Sequence, residues 1–399
     1  MLYALFVKMA WWQSGYAEDC KSFYAGSIPT QASSYKMITS LTLTDFRNHE
    51  SSRINTGDAK AVIITGSNGS GKTSILEAIS MFSGGGTLRG DAPGDMVRIS
   101  GGGMFGIVAE LSNGTKMSVS FEMGDQRRKA RIDNDTVPFS EMARHLRLVW
   151  LTPREDRLFV DSASDRRAFF DRLVAAFDPT HAGRVARLAK LLSERAFALK
   201  NGEWTAQDAD GWLSGIEKQL TSTAVAVAAA RVKYAGEINY FFNKCTDPYH
   251  VTISGILEQK LSAGASALDV EKEYAEYLST DRTLVTDKMI VDGAHRTDFG
   301  MFNNSLDMNV QMTSTGQQKS ALLALILAHT KLVRMRFAAA TVILLDEAAA
   351  HLDADARASL FSGLADADAQ IWATGLDPVL FTGLGNTVFI SCEAGKVYA

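Results

Sequence analysis

Cysteine is scarce in this chain. Cys20, Cys245 and Cys392 are scattered without CxxC or metal-ligand spacing, which excludes a disulfide scaffold and a thiolate metal centre. Free thiols in a reducing, cytoplasmic compartment are expected. Long apolar runs are also missing: the most apolar stretch, around Ala321 to Ala328, is well short of the roughly 20 residues that cross a bilayer. No membrane role is expected. Residues 1–36 carry Met1-Leu2-Tyr3-Ala4-Leu5-Phe6-Val7 and Trp11-Trp12 but lack a basic start, a clean apolar core and a small-residue cleavage pattern, so a secretory signal is not expected. Basic residues are not in excess. A formal charge of −4 and a pI near 6.0 exclude a uniformly basic nucleic-acid binder. No groove-reading motif or aromatic stacking pattern suggests sequence-specific recognition, and no heptad persists long enough for an extended coiled-coil arm.

What is present is ordinary globular material: 399 residues, 46% hydrophobic and 22% charged, with room for two or more domains. Its most informative segment is Gly66-Ser67-Asn68-Gly69-Ser70-Gly71-Lys72-Thr73. Before it lies Ala61-Val62-Ile63-Ile64-Thr65, an apolar run that reads as a buried parallel strand. After it, Ser74-Ile75-Leu76-Glu77-Ala78-Ile79 starts a helix. Glycines let such a loop turn successive N–H groups onto phosphate oxygens, and the helix N-terminus adds positive potential. Gly66 to Ser74 are therefore the candidate ATP-binding residues, with Lys72 reaching the β and γ phosphates and Thr73 offering a hydroxyl to Mg²⁺.

About 270 residues later, the strand Thr341-Val342-Ile343-Leu344-Leu345 runs into Asp346-Glu347. Asp346, at the carboxyl edge of a central strand, can hold Mg²⁺ through a water. Glu347 is the candidate catalytic base that orients and deprotonates the attacking water. Read alone, the two acids are also compatible with an ordinary strand end. Upstream, Ser314-Thr315-Gly316-Gln317 opens the apolar helix-forming stretch Ser320 to Ala328. The pattern resembles the signature of ABC-type ATPases, in which the helix N-terminus of one subunit caps the γ-phosphate held by another. Ser314, Gly316 and Gln317 are then candidate ATP contacts from a second copy, although Ser314 also suits a plain N-cap. Thr374, at the end of Gln370-Ile371-Trp372-Ala373-Thr374-Gly375, stands where transport ATPases usually place a histidine, and slow turnover is expected.

Between the halves, Ile107 to Leu111, Asn113-Gly114 and Lys116 to Phe121 read as a hairpin. Past Pro179, Val185, Leu188, Leu192 and Leu199 fall on one helical face, and Trp212, Ile216 and Leu220 begin a second. These helices read as a compact inserted lobe ending near Lys288, after a small strand at His250 to Leu257. The fold class expected is α/β: an ABC-type P-loop ATPase head with an antiparallel β subdomain and an inserted, mainly helical lobe. The expected units are residues 1–36, an extension; 37–175, the N-terminal half of the head; 176–289, the lobe; and 290–399, the C-terminal half. Local basic clusters are Arg127-Arg128-Lys129-Ala130-Arg131; Arg166-Arg167 with Arg172; and Arg184, Arg187, Lys190 and Arg195. Each is a candidate phosphate-backbone contact or a solvated charged face.

From Met37 onward these segments together resemble the RecF family, relatives of the heads of SMC-type ATPases. Ile38 to His49 matches its opening strand and Phe-Arg-Asn turn, here Phe46-Arg47-Asn48. Leu151-Thr152-Pro153-Arg154-Glu155-Asp156 and Asp165-Arg166-Arg167 through Asp171 resemble its Pro-Glu-Asp and Arg-Arg…Leu-Asp motifs. Gly293-Ala294-His295-Arg296-Thr297-Asp298 resembles its Gly-Pro-His-Arg-Asp element, with Ala294 in place of the usual Pro. The signature reads Ser-Thr-Gly-Gln, not the transporter-type Ser-Gly-Gly-Gln. The resemblance implies an ATP-controlled DNA-binding protein that forms an ATP-dependent homodimer and acts at single-strand gaps. It also implies RecO and RecR partners, RecA loading and slow ATP hydrolysis as a reset. Arg47 and Asn48 would lie near the nucleotide, although Asn48 equally suits a turn-stabilising role. Because the resemblance begins at Met37, residues 1–36 are expected to be a dispensable tail or a misplaced translation start. A membrane-transport ATPase subunit and a small-molecule P-loop kinase are the alternatives. Against the first stands a loop-to-signature distance of about 240 residues.

Overall fold

The computed structural model describes residues 37–83, 86–200, 206–245, 247–282, 291–337, 340–347, 354–367 and 369–398. The extension at 1–36 and the expected end of the lobe near Lys288 lie outside them.

Strand β3 (Ala61–Thr65) is apolar on both faces, and only its last residue is not buried, as expected of a strand covered on both sides. It cannot complete a sheet from its own half of the chain. Its neighbours come from the other end: β13 (Gln370–Gly375) and β14 (Thr387–Glu393) flank it in parallel, with Ala373 and Phe389 both opposite Ile63. Next to β13 lies β12 (Ala340–Leu345), and next to that β8 (Leu146–Leu151), so the order is β15-β14-β3-β13-β12-β8, with β15 (Lys396–Tyr398) antiparallel to β14. The two ends of the chain thus interleave in one sheet. Helix α1 (Lys72–Ser80), which follows the loop after β3, is buried along almost its whole length.

The hairpin expected around Asn113-Gly114 is present as β4 (Met104–Leu111) and β5 (Lys116–Glu122), with Ile107 opposite Val119 and Gly114 at φ 85. It joins β1 (Ile38–Phe46), β2 (His49–Asn55), β6 (Lys129–Ile132) and β7 (Asp135–Thr136) in an antiparallel sheet of order β2-β1-β4-β5-β6-β7. Alternation along each strand buries Leu41, Leu43, Ile107 and Val119 and leaves Thr44, Arg53, Val108 and Lys116 exposed. That buried face shares a core with Ile75 and Leu76 of α1 and with Val62 of β3.

Helix α2 (Phe139–His145) leads into β8, and α3 (Ala163–Phe177) packs Phe169, Phe170 and Leu173 into the core on the other side of the central sheet. The lobe is built from α4 (His181–Lys200), α5 (Ala206–Lys244), α6 (Ile256–Ser262) and α7 (Ala267–Asp281). Leu188, Leu220, Tyr274 and Leu278 lie at its centre. Helix α5 is 39 residues long, well beyond the stretch that Trp212, Ile216 and Leu220 mark in sequence. Its first half packs in the lobe, while Tyr234, Ile238 and Phe242 belong to the core of the head. The expected strand at His250 to Leu257 ends at Ser254: β9 (Tyr249–Ser254) pairs with β10 (Asp298–Asn303), which pairs with β11 (Met308–Asn309), and Leu257 belongs to α6.

Helix α5 also carries the ionic joint between lobe and head. Arg231 is 1% exposed and bonds both Asp171 oxygens at 2.8 Å, Glu258 at 3.1 Å and the Thr297 hydroxyl at 3.0 Å. Burial alone would lower the Arg231 guanidinium pKa, but the two carboxylates outweigh it and raise it. A guanidinium suits such a joint because its planar fork donates to several acceptors at once. Arg231→Met leaves Asp171 and Glu258 without their shared cation and is expected to cost about 3–5 kcal/mol. Urea unfolding read by circular dichroism checks this, and a loss under about 1 kcal/mol would contradict it.

Candidate nucleotide site

The loop between β3 and α1 has an open rim and a crowded floor. Ser67, Asn68 and Gly69 are exposed, whereas Ser70 and Lys72 are buried. Gly71 is left-handed at φ 114, and a Cβ there would lie 2.7 Å from Asn48 Nδ2 and 2.8 Å from His49 Nε2, a position glycine alone fills without displacing the residues beneath. Lys72 Nζ donates to the Gly66 and Ser67 carbonyls at 2.8 and 2.9 Å. It is thereby curled back over the loop, at the position from which it can exchange carbonyls for phosphate oxygens.

The two ends of the chain meet at Thr73 and Asp346. Thr73 Oγ1 donates to the Asp346 carboxylate, with oxygens at 2.9 and 3.2 Å. Thr374 Oγ1 donates to the same carboxylate at 2.7 Å and accepts the Glu347 N–H at 3.0 Å. One carboxylate is therefore gripped by hydroxyls from α1 and β13. Glu347 stands immediately after β12 with φ 52, a left-handed conformation that costs a non-glycine residue about 1–2 kcal/mol. A hydroxyl and a carboxylate side by side form a hard, all-oxygen donor pair, which fits Mg²⁺ completing its shell with phosphate oxygens and water.

Two segments, the turn between β1 and β2 and the hairpin of β14 and β15, support the loop from below. The Ser70 carbonyl accepts Asn48 Nδ2 at 3.0 Å, the Gly395 N–H at 2.8 Å and Cys392 Sγ at 3.2 Å. The Gly71 carbonyl faces His49 Nε2 at 3.1 Å. Burial pushes the Cys392 thiol pKa up, against the opposing effects of the Ser70 bond and Lys72. Asn48 thus meets the loop directly. Arg47 does not: it bonds Glu77 at 2.8 and 2.6 Å, the Asp95 carbonyl at 2.9 Å and the Asp91 carboxylate. Burial alone would lower the Arg47 pKa, but Glu77 and Asp91 overcome it and raise it. His49, Cys392 and Gly395 belong to this floor and were not among the sequence candidates. Their only sequence signal is proximity to the Phe46-Arg47-Asn48 turn and to the end of the chain.

Ser314, Gly316 and Gln317 stand apart from this cluster. Ser314 caps α8 (Thr315–Arg336) in a reciprocal capping box with Gln317. Residues 314–317 are all exposed, so the amino end of α8 faces outward.

The second basic cluster and Arg195 of the third are structural. Arg166 is bidentate to Asp298 at 2.8 Å, Arg167 bonds the Thr297 carbonyl at 2.9 Å, and Arg172 bonds Glu155 at 2.8 Å and lies over the Trp150 ring at 4.4 Å. Arg195 is buried against Glu217 at 2.9 Å. In the first cluster Arg128 lies over Phe139 at 4.8 Å, while Arg127, Lys129 and Arg131 remain exposed.

Comparison with known proteins agrees with this architecture. The RecF/RecN/SMC N terminal domain matches residues 37–397. The DNA replication and repair protein RecF of Rhizobium johnstonii is 35% identical over 374 residues, covering 90% of this chain and 98% of that protein. Its counterpart from Mesorhizobium japonicum is 37% identical over 376 residues, 90% of this chain and 97% of that one. Among solved structures, the recombination mediator protein RecF-ATPrS of the RecFOR pathway has a TM-score of 0.77 at 18% identity, covering 91% of this chain and 98% of that chain. The fold is shared: an ABC-type ATPase head of the SMC and RecF kind.

The floor yields a direct test. Gly395 has φ 79, and a Cβ there would lie 2.1 Å from the Asn48 carbonyl oxygen. Gly395→Ala is expected to displace the hairpin end from Ser70, costing about 1–3 kcal/mol and weakening ATP binding roughly tenfold. Thermal melting with fluorescent-nucleotide titration checks this, and unchanged values in both would contradict the bracing role.

Proposed function

The chain belongs to the RecF family of DNA replication and repair proteins, and from that premise we propose that ATP controls its grip on DNA by pairing two copies. The observation that carries the reading is the pair of half-sites: a phosphate loop joined to Asp346 through Thr73, and a capped, outward-facing helix start at Ser314. Each half lacks what the other supplies. The loop of one copy holds the triphosphate, and the α8 start of the second copy sets its N–H groups and partial positive charge against the γ-phosphate.

In this arrangement Lys72 leaves the Gly66 and Ser67 carbonyls for the β and γ phosphates. Thr73 and Asp346 would hold Mg²⁺, which when bound would supply charge neutralisation at the terminal phosphates. Glu347 orients the attacking water and takes its proton, and its left-handed backbone fixes where the carboxylate can reach. Thr374 connects Asp346 to the Glu347 N–H, so the metal carboxylate and the base move as one unit. Hydrolysis removes the phosphate that joins the copies and lets them part.

DNA binding is then a matter of backbone contact. Of the three basic clusters, the first offers exposed cations at Arg127, Lys129 and Arg131 and the third at Arg187 and Lys190 of α4, although Lys129 is paired with Asp125 at 2.9 Å and Lys190 with Glu194 at 3.5 Å. Contacts of this kind read phosphate rather than sequence. They suit junctions of single- and double-stranded DNA, at which the protein would act with RecO and RecR to load RecA. A transporter subunit or a small-molecule kinase gives the match over residues 37–397 no role, and no described helix is long and apolar enough to cross a membrane.

Lys72→Met removes the cation that follows the phosphates. ATP affinity is expected to fall about 100-fold, equivalent to about 2.7 kcal/mol, and the ATP-dependent gain in affinity for gapped DNA should disappear in fluorescence anisotropy. Retention of that gain at saturating ATP would overturn the assignment.

A further inference from the structure

His49 sits under the phosphate loop, fully buried, in a hydrogen-bond arrangement one proton short of completion. Its Nε2 faces the Gly71 carbonyl at 3.1 Å. A carbonyl only accepts, so Nε2 carries a hydrogen. Its Nδ1 faces Ser52 Oγ at 2.9 Å, and the same hydroxyl donates to the Gly395 carbonyl at 3.0 Å. Serine has one proton to give. If the ring is neutral, Ser52 either donates to Nδ1 and abandons Gly395, or keeps Gly395 and leaves Nδ1 without a donor. An imidazolium satisfies every group, because Nδ1–H then donates to Ser52 and Ser52 donates to Gly395.

We propose that His49 is a positioning residue of the nucleotide site, and that ATP binding draws a proton onto it, completing the chain of bonds from Gly71 through Ser52 to Gly395. This rests on the ATP-binding reading above. The completed chain ties the start of α1 to the same Gly395 turn whose N–H holds Ser70, so a single proton sets two supports of the loop. The charged groups on the surrounding elements are Asp45 of β1, Glu50 and Arg53 of β2, Lys72 and Glu77 of α1, Glu393 of β14 and Lys396 of β15, with Arg47 in the turn before His49 and the Cys392 thiol beside Ser70. Lys72 is committed to loop carbonyls and Glu77 to Arg47, and among the described residues no carboxylate pairs with the ring.

The sign follows from where charge arrives. Burial lowers the His49 pKa below the ordinary histidine range, against the raising effect of the Gly71 and Gly395 carbonyls. Phosphate charge above the loop favours the imidazolium and raises the bound-state value above the free one. ATP affinity therefore rises as pH falls between those two values, by at most about tenfold per pH unit for one proton, and is level above the upper value.

The test is calorimetric titration of ATP and Mg²⁺ into the full chain near pH 6.5, in two buffers of different ionisation enthalpy, alongside His49→Gln. Glutamine keeps an N–H for Gly71 but cannot ionise. Should it fail to fold, His49→Tyr serves, since its hydroxyl donates and stays neutral in this range. The expected result is net proton uptake in the unaltered chain that is lost in the variant, together with loss of its pH-dependent affinity. Equal uptake in both, or none in the unaltered chain, overturns the role of His49 while leaving ATP binding intact. Absence of binding in the unaltered chain would instead overturn the nucleotide reading itself.

Discussion

The structure depends on the insertion of β3 between β13 and β14. Three parallel strands, one from near the start of the described chain and two from its end, must pair before the central sheet exists. The chain-closure entropy of such long-range pairing is large and is offset by burial of nearly every side chain on β3 and β13. Once the strands are paired, the loop after β3 and the acids after β12 emerge at the same carboxyl edge, which is where ligands bind in open α/β sheets. The bond from Thr73 to Asp346 is a consequence of that topology. Most of what lies between the two halves is free to become a lobe, while Tyr234, Ile238 and Phe242 of α5 return to the core of the head.

The same closure explains the floor of the loop. The hairpin of β14 and β15 lies beside β3, so its turn at Gly395 and the thiol of Cys392 fall under Ser70. The turn after β1 brings Asn48 and His49 to the same place from the antiparallel sheet. A phosphate loop tied to two separate segments at four residues is stiff, and stiffness there is useful. If ATP joins two copies, the force of the joint must pass from the γ-phosphate into both sheets without the loop giving way. The Arg231 network performs a comparable task farther out, connecting α5 to α3 and to the Gly293 to Asp298 element.

Local patterns were legible in the sequence where short-range chemistry decides the outcome. The apolar run before Gly66, the Asn113-Gly114 turn and the capping residues at Ser314 each follow from neighbours a few positions away. Other features were hidden because their causes are distant in sequence. Arg166 and Arg167 read as a basic patch, yet their acceptors lie at Asp298 and Thr297, and no count of local charge distinguishes a solvated arginine from one paired across the fold. Arg195 belongs to the same class, with Glu217 as its partner. Arg47 sits beside Asn48 in the Phe-Arg-Asn turn, but its guanidinium goes to Glu77 and Asp91 rather than to the loop. Cys392 carries no local signal beyond that of a free thiol because its setting is created only when β14 docks beside β3. Trp212, Ile216 and Leu220 mark only the beginning of helix α5; its second half keeps Tyr234, Ile238 and Phe242 at helical spacing, but they face the core of the head, whose partner residues lie far away in sequence.

The central claim is that the two half-sites, Asp346-Glu347 with the phosphate loop and Ser314 with α8, complete each other across a pair of chains. Glu347→Gln preserves the shape of the site and removes the base, so it should hold the ATP-bound state. The most direct measurement is the molar mass of that variant by light scattering, with and without ATP and Mg²⁺, and again with gapped DNA present. The account predicts a mass near twice 43.3 kDa with ATP and a dimer that retains the DNA. A mass that stays at one chain whatever the nucleotide would contradict it.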